Sequence, residues 1–342
     1  MTMKIEGISV VMPSHNGADW LPVTLNKIEK ALLNSTIDIK KTEIVIIDDG
    51  SSDNTKEVVK NLTKNIQSKI SYVYQKNQGR YVTRKNGVKK AKYNYIWFVD
   101  TRVHPSEDSL KYAVSEIKKG DKNLVWNAHV YVHKEGNIIA RFMDAITFIG
   151  WRKYFSNPRR CSYGLKEFDY YPKGTTSFLV PKKIIVNAIN EFDQEERDLK
   201  KSSDDTHLIR IIARDNPINL SPQFSCLYHA RNTFKAFVQH SYHRGQVFVD
   251  GFFRPDTRFY IPIILFLITS LLIALGVLIY PMYALYLIIA GGLVWLAELL
   301  AAIILGVSAK DSFSLFALTP VFAICYGLGI WKAVIKKWIG RT

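Results

Sequence analysis

Four short polar clusters hold the side chains of this sequence that could do chemistry. They are Pro13, Ser14, His15 and Asn16; Asp48, Asp49 and Gly50; Asn77, Gly79, Arg80 and, one turn on, Arg84; and Asp100, Thr101 and Arg102. A carboxylate at a strand tip, as Asp48 and Asp49 would be, can accept hydrogen bonds from a base or a ribose; the same residues also suit a turn with a helix cap. Asn77, Gly79, Arg80 and Arg84 make a basic, glycine-containing entry to a helix, which favours phosphate. A solvated helix face would look the same. His15 could stack on a base or be a plain surface residue. Asp100 poses a sharper question. A loop holding a divalent metal would carry a second carboxylate at position 102, and Arg102 stands there.

These clusters need a scaffold that brings them to one place. Ile8 to Met12, Glu43 to Ile47, Ile70 to Tyr74 and Tyr95 to Val99 are apolar runs of strand length. Between them, Trp20 to Leu33, Thr55 to Leu62 and Arg80 to Lys92 have the spacing of helices, with Ser52 or Asp53 placed to cap the second. Alternating strands and helices predict a parallel sheet covered on both faces. Ligands bind beyond the carboxyl ends of such strands, and all four clusters fall there.

Past about residue 258 the composition changes. Phe259 to Tyr280 contains no charge, Met282 to Leu305 is broken only by Glu298, and Ser314 to Trp331 is a third, shorter apolar run. Runs of about 18 or more apolar residues match the ~30 Å hydrocarbon thickness. Between soluble part and runs, "TFKAFVQHSYHRGQVFVDGFF" reads as an amphipathic segment lying on a membrane surface. The net charge of +16 favours an anionic partner; beside apolar anchors, phospholipid headgroups are the economical choice, and no nucleic-acid motif is present. The apolar run near the N-terminus is too short for a signal-peptide core and reads as a first strand, so the soluble part is expected on the cytosolic side. Three cysteines far apart fit a reducing compartment without disulfides or a zinc site. The basic residues Lys332, Lys336, Lys337 and Arg341 favour the inside, whereas three spans would put them outside; the orientation of the third run stays open.

"SVVMPSHNGADWLPVTLNKI", "IVIIDDGSSDNT", "NQGRYVTRKNGVKKA" and "YIWFVDTRV" resemble, in order, the motifs of family-2 inverting glycosyltransferases with a GT-A fold. The resemblance covers roughly residues 5 to 250 and is most specific at "DDGSSD". It implies a nucleotide-diphosphate sugar as donor, a pocket lined by Pro13, Ser14, His15 and Asn16, a base contact from Asp49, and Gly79, Arg80, Arg84, Asp100, Thr101 and Arg102 around the nucleotide. Lys85 departs from the asparagine usual after that arginine. On the acceptor side the resemblance implies Gly174 and Thr175 before a strand at Phe178 to Val180, then Asp204 and Asp205. Asp205 matches the catalytic base, a carboxylate that takes the acceptor hydroxyl's proton; the pair could also cap a helix. His243, Arg244 and Gly245 resemble a segment that closes over the donor.

In this family the second aspartate of Asp-x-Asp binds Mg²⁺ or Mn²⁺. With Arg102 in its place, three outcomes stay open: the guanidinium replaces the metal, a metal binds through Asp100 and His229, or the site is inactive. The fold expected is an α/β GT-A domain over residues 1–232, an interface segment over 233–258, and a helical transmembrane region over 259–342. The function expected is transfer of a sugar to a lipid-linked acceptor at the cell membrane, by a chain able to form homo-oligomers. A non-catalytic nucleotide-sugar-binding scaffold is the alternative. A nucleotidyl transferase would want a glycine loop after the first strand, and "PSHNGADW" has one glycine.

Overall fold

The computed structural model describes residues 5–193 and 204–339. In chain order the elements begin β1 (Ile8–Ser14), α1 (Leu21–Asn34), β2 (Thr42–Asp49), α2 (Thr55–Leu62), β3 (Lys69–Gln75), α3 (Arg80–Lys90) and β4 (Tyr95–Val99). Next come β5 (Val103–Pro105), α4 (Ser109–Lys118), β6 (Val125–Val132), α5 (Ile138–Gly150), α6 (Arg152–Phe155), β7 (Cys161–Tyr163) and β8 (Ser177–Pro181). The last are α7 (Lys182–Asp193), α8 (Asp204–Asp215), β9 (Ile218–Tyr228), α9 (Phe234–Phe252), α10 (Tyr260–Ile279), α11 (Tyr283–Ile304) and α12 (Ala309–Trp338).

The chain divides into two compact units, residues 1–133 with 157–229 and residues 134–156 with 230–342. The boundaries expected from the sequence fall at 232 and 258. The segment carrying α5 and α6 in addition leaves the first unit and lies with the C-terminal helices.

The first unit is one sheet in the order β3-β2-β1-β4-β8-β6-β9-β5, with β7 on β9. The four expected strands pair in parallel. Beyond β4 the sheet is mixed: β8 runs antiparallel to β4 and β6, and β5 antiparallel to β9. Its core is built from Val10, Met12, Ile44, Ile46 and Trp97, with Leu21, Leu25 and Ile28 of α1 packed on it. α3 lies unusually close to β1, because a Cβ at Gly87 would run into the Val11 side chain. That approach carries Arg84, one turn earlier, to the carboxyl edge of the sheet.

In the second unit, α9 and α12 run together in one direction: Phe237 shares a cluster with Leu315 and Leu318, and Phe252 with Val334. Their backbones touch at Gly245 and Gly329, where a Cβ on either would strike a carbonyl of the other helix. α5 joins through Phe142, edge-on to Phe237 and Phe322. Buried Asp311 pairs with Lys134 at 2.9 Å and Arg141 at 3.0 Å. Three helices, α10, α11 and α12, are long and apolar enough to cross a membrane. Pro320 interrupts α12, and proline leaves the carbonyl four residues back without its helical partner. That carbonyl, Phe316 O, receives the Trp295 indole N–H at 2.7 Å, and the adjacent Thr319 hydroxyl donates to Glu298 at 2.6 Å. Glu298, isolated in the sequence, thus faces another helix.

Candidate active site

At the carboxyl edge of the sheet, Arg84 gathers two carboxylates from distant parts of the chain. Its side chain is 2% exposed; one Nη donates to Asp100 Oδ1 at 2.9 Å and the other to Asp205 Oδ1 at 3.0 Å. The antiparallel pairing of β4 with β8 puts the neighbours in place: the Asp100 N–H donates to Thr176 O, and the Thr175 hydroxyl donates to Asp205 Oδ1 at 2.6 Å. Asp205 lies in the first turn of α8. Asp204 opens that helix, and its side chain lies outside the described part. Burial alone would push the Asp205 carboxyl up, but the guanidinium groups of Arg84 and Arg80 and the Thr175 hydroxyl hold it below the usual carboxylate range. Asp100 goes the other way: burial raises it, against the pull of Arg84. Two carboxylates on one arginine are thereby pushed apart, an arrangement frequent at functional sites.

The loops on the β1 and β2 side form a second, tightly bonded group. Asp49 accepts from the Gln75 side chain at 2.7 Å and from the backbone N–H groups of Gln78 and Gly79 at 2.8 and 2.9 Å. It therefore sets the entry to α3. His15 Nδ1 lies 3.0 Å from Asp49 O, which also accepts from Asn77. Asn16 has a left-handed φ of 50°, tolerated by asparagine, and its side-chain oxygen takes the Ser52 N–H. The N-cap of α2 is Asn54, without a side-chain cap bond, and neither Ser52 nor Asp53 as expected; Asp53 instead accepts from the Thr55 N–H and from the Ala18 N–H, so it binds both loops. Pro13 is half-buried, and the Ser14 hydroxyl is buried without a hydrogen-bond partner among the described residues. Arg80 is exposed and Gly174 half-buried.

Arg102 and His229 meet through β5, too short to read from the sequence. The His229 N–H donates to Arg102 O at 3.0 Å, and both side chains reach Trp20: the Arg102 guanidinium lies 5.2 Å from its ring and His229 is tilted against it. His229 Nε2 lies 3.0 Å from His104 Nδ1, with His133 stacked on its other neighbour face at 4.8 Å. Burial, with the adjacent histidines, lowers both: His104 to about 4, and His229 below the usual imidazole value. Among the described residues no three histidine, cysteine or acidic side chains come together as a metal site. Asp100 is engaged by Arg84 and His229 by His104.

The remaining predicted residues have the following neighbours. Lys85, the departure noted above, pairs with Asp193 at 2.6 Å, beside the Tyr81 hydroxyl on the same carboxylate. Thr101 accepts at its carbonyl from Thr24 at 2.6 Å. His243, Arg244 and Gly245 belong to the second unit: Gly245 is the α9/α12 crossing point and Arg244 reaches Met143 Sδ. The residues that sequence reasoning missed are Trp20, Gln75 and His133. A tryptophan or glutamine carries no spacing signal, and only strand pairing across the chain brings them in.

Residues 9–176 match the family described as Glycosyl transferase family 2. The glycosyltransferase AglE of Haloferax volcanii is 26% identical over 147 residues, 43% of this chain and 47% of that protein. The poly-beta-1,6-N-acetyl-D-glucosamine synthase of Staphylococcus epidermidis is 29% identical over 138 residues, 40% of this chain and 32% of that protein. The chain thus spans about half the length of the first relative and a third of the second. In structure, the mannosyltransferase PcManGT of Pyrobaculum calidifontis, solved with GDP-Man and Mn²⁺, aligns over 100% of this chain and 89% of its own at a TM-score of 0.53 and 14% identity. The mostly parallel sheet with its antiparallel addition is a GT-A fold.

Proposed function

From the premise that this chain carries a family 2 glycosyl transferase domain, we propose that it is a membrane-bound inverting glycosyltransferase. It moves a sugar from a nucleotide-diphosphate donor to a lipid-linked acceptor, a polyprenyl phosphate or a lipid-linked glycan, with the catalytic unit on the cytoplasmic side of the cell membrane. The observation that carries this reading is the Arg84 bridge between Asp100 and Asp205. It holds a carboxylate ionised at neutral pH at the carboxyl edge of the sheet, which supports a base at this place.

In the reaction, Asp205 takes the proton of the acceptor hydroxyl as that oxygen attacks the anomeric carbon. The bond from that carbon to the diphosphate oxygen breaks, its configuration inverts, and the nucleoside diphosphate leaves with the electron pair. The leaving charge needs fixed positive groups. Arg80 at the start of α3 and Arg102 after β4 supply them, Arg102 by fork-like hydrogen bonds. Thr175 and Arg84 orient the base. The nucleotide-sugar complex of the Pyrobaculum neighbour supports the donor class, and the apolar helices support an acceptor that stays in the membrane.

The test is a donor screen on purified protein in detergent with a lipid extract, read by mass spectrometry. One donor should give a glycosylated lipid. Asp205→Asn should lower turnover by about 10²–10⁴ while donor affinity stays near that of the parent. Unchanged turnover would remove Asp205 from the role. Donor binding without transfer in the parent would favour the scaffold alternative.

A further inference from the structure

Within the second unit, α12 has the length and hydropathy of a membrane span, yet its contacts belong to one membrane face. α10 and α11 are joined by three residues, Tyr280–Met282. If both cross a bilayer they run in opposite directions, so the first half of α10 and the second half of α11 lie in the same leaflet. α12 touches those two regions. Its first half meets the second half of α11, through Phe316 with Trp295 and Thr319 with Glu298, and, at the end of α11, Leu315 and Leu318 cluster with Ala302. Its second half meets the first half of α10: Ile330 and Val334 cluster with Ile263 and Leu267, and Trp331 Nε1 donates at 3.0 Å to Ser270, at the middle of that helix. A helix that begins beside the end of one span and finishes beside the start of the other, with the two spans antiparallel, travels along the face and does not cross.

α9 gives an independent reason. It accompanies α12 for most of its length and touches its backbone at Gly245 and Gly329. α9 carries Lys235, Gln239, His243, Arg244, Gln246 and Asp250. Were α12 to span, it would draw these groups into hydrocarbon, where ionisable side chains are expensive. Laid on the interface, the pair keeps them in the headgroup layer. α12 then has one exposed apolar stripe, Phe313, Ile324, Leu328 and Ile335. Near its end Lys332 and Lys336 line an open cleft of about 550 Å³ with Tyr242 and Trp331. Apolar stripe and flanking lysines together suit a bilayer surface with anionic headgroups.

We infer that α12 is an interfacial helix bound to the surface of an anionic bilayer, that α10 and α11 alone span, and that the end of α12 lies on the same membrane side as α9. This rests on the membrane-bound reading above and is separable from it. Single cysteines at Lys235, Met282 and Lys337 would be placed in a chain with Cys161, Cys226 and Cys325 replaced, and labelled in sealed vesicles with a membrane-impermeant maleimide. Lys235→Cys and Lys337→Cys should react from the same face, and Met282→Cys only from the other or after detergent opens the vesicles. Lys337→Cys reacting with Met282→Cys would make α12 a span and overturn the inference. All three reacting from one face would show that α10 and α11 do not cross, and the membrane-bound reading would fall with it. Because the replaced cysteines could disturb folding, a reporter active on only one side of the membrane, fused after Thr342 of the unmodified chain, reads the same question.

Discussion

Replacing Arg84 with methionine removes the cation that two carboxylates share and leaves a side chain of similar length. Arg84 is 2% exposed, while the Asp100 and Asp205 side chains keep 31% and 27%. Deleting one partner of a buried ion pair costs about 3–5 kcal/mol; with carboxylates reached by solvent, the low end, about 3 kcal/mol, applies here. For a unit of this size that is a fall in melting temperature of about 6–12 °C. The pH dependence has a definite sign. A carboxylate held below its unfolded value stabilises the fold above that value and loses the contribution as pH falls through the lowered one. Asp205 is of this kind, whereas Asp100, raised by burial, has the opposite sign. Without Arg84 both carboxyls rise, so the acid limb of the rate profile should move to higher pH. Adding Asp205→Asn removes the exposed repulsion, and the double variant should regain part of the lost stability through a coupling of about 0.5–3 kcal/mol. The assays are thermal melts of the detergent-purified protein and transfer rate against pH. A melt within 2 °C of the parent by rough reckoning, with an unmoved acid limb and strictly additive variants, would refute the bridge as the organiser of the site.

Arg102→Ala should cost most of the turnover and leave the fold intact, and the parent should keep its activity in chelator; Arg102→Asp should make transfer depend on Mg²⁺ or Mn²⁺. Complete loss in chelator with rescue by Mn²⁺ in the parent would sink the metal-free reading. Burial and the neighbouring His229 lower His104 to about 4, below the usual imidazole value, so the folded state binds fewer protons than the unfolded chain between these values. Stability should therefore fall as pH drops from 7 to 5, and His104→Gln should flatten that fall; an equal fall in both proteins counts against it. A fragment ending at Gly251 should aggregate in aqueous buffer, because Phe142, Phe237 and Val249 lose their cover from α12; a monodisperse fragment would show that cover to be unnecessary.

The parallel half of the first unit was legible because each of its strands is an apolar run ended by a polar cluster. The residues of the Arg84 bridge could be listed from resemblance. Their contact could not, because it depends on the β4–β8 pairing and on the approach that Gly87 permits. The histidine group was hidden for a similar reason: β5 has three residues and pairs with β9 more than a hundred positions away. Asp49 shows a different limit. Its type suggested a base contact, while the fold also gives its carboxylate the N–H groups of Gln78 and Gly79. The grouping of α5 with the C-terminal helices is not legible in the sequence, because its apolar face fits either a soluble core or the companion helices, and composition does not choose between them.

The discontinuity of the two units has a consequence for biosynthesis. α5 emerges before β8 and β9, which complete the first unit, and well before its partners in the second. From Gly150 to Leu315 the chain runs on for about 165 residues, roughly 8–33 s of synthesis at 5–20 residues per second. During that interval the apolar face formed by Ile139, Phe142 and Ala145 stands without α12. The order of translation thus leaves the apolar face of α5 to be covered by other segments, a chaperone or a lipid surface until α12 arrives, and slowing elongation between residues 150 and 315 lengthens that exposure in proportion.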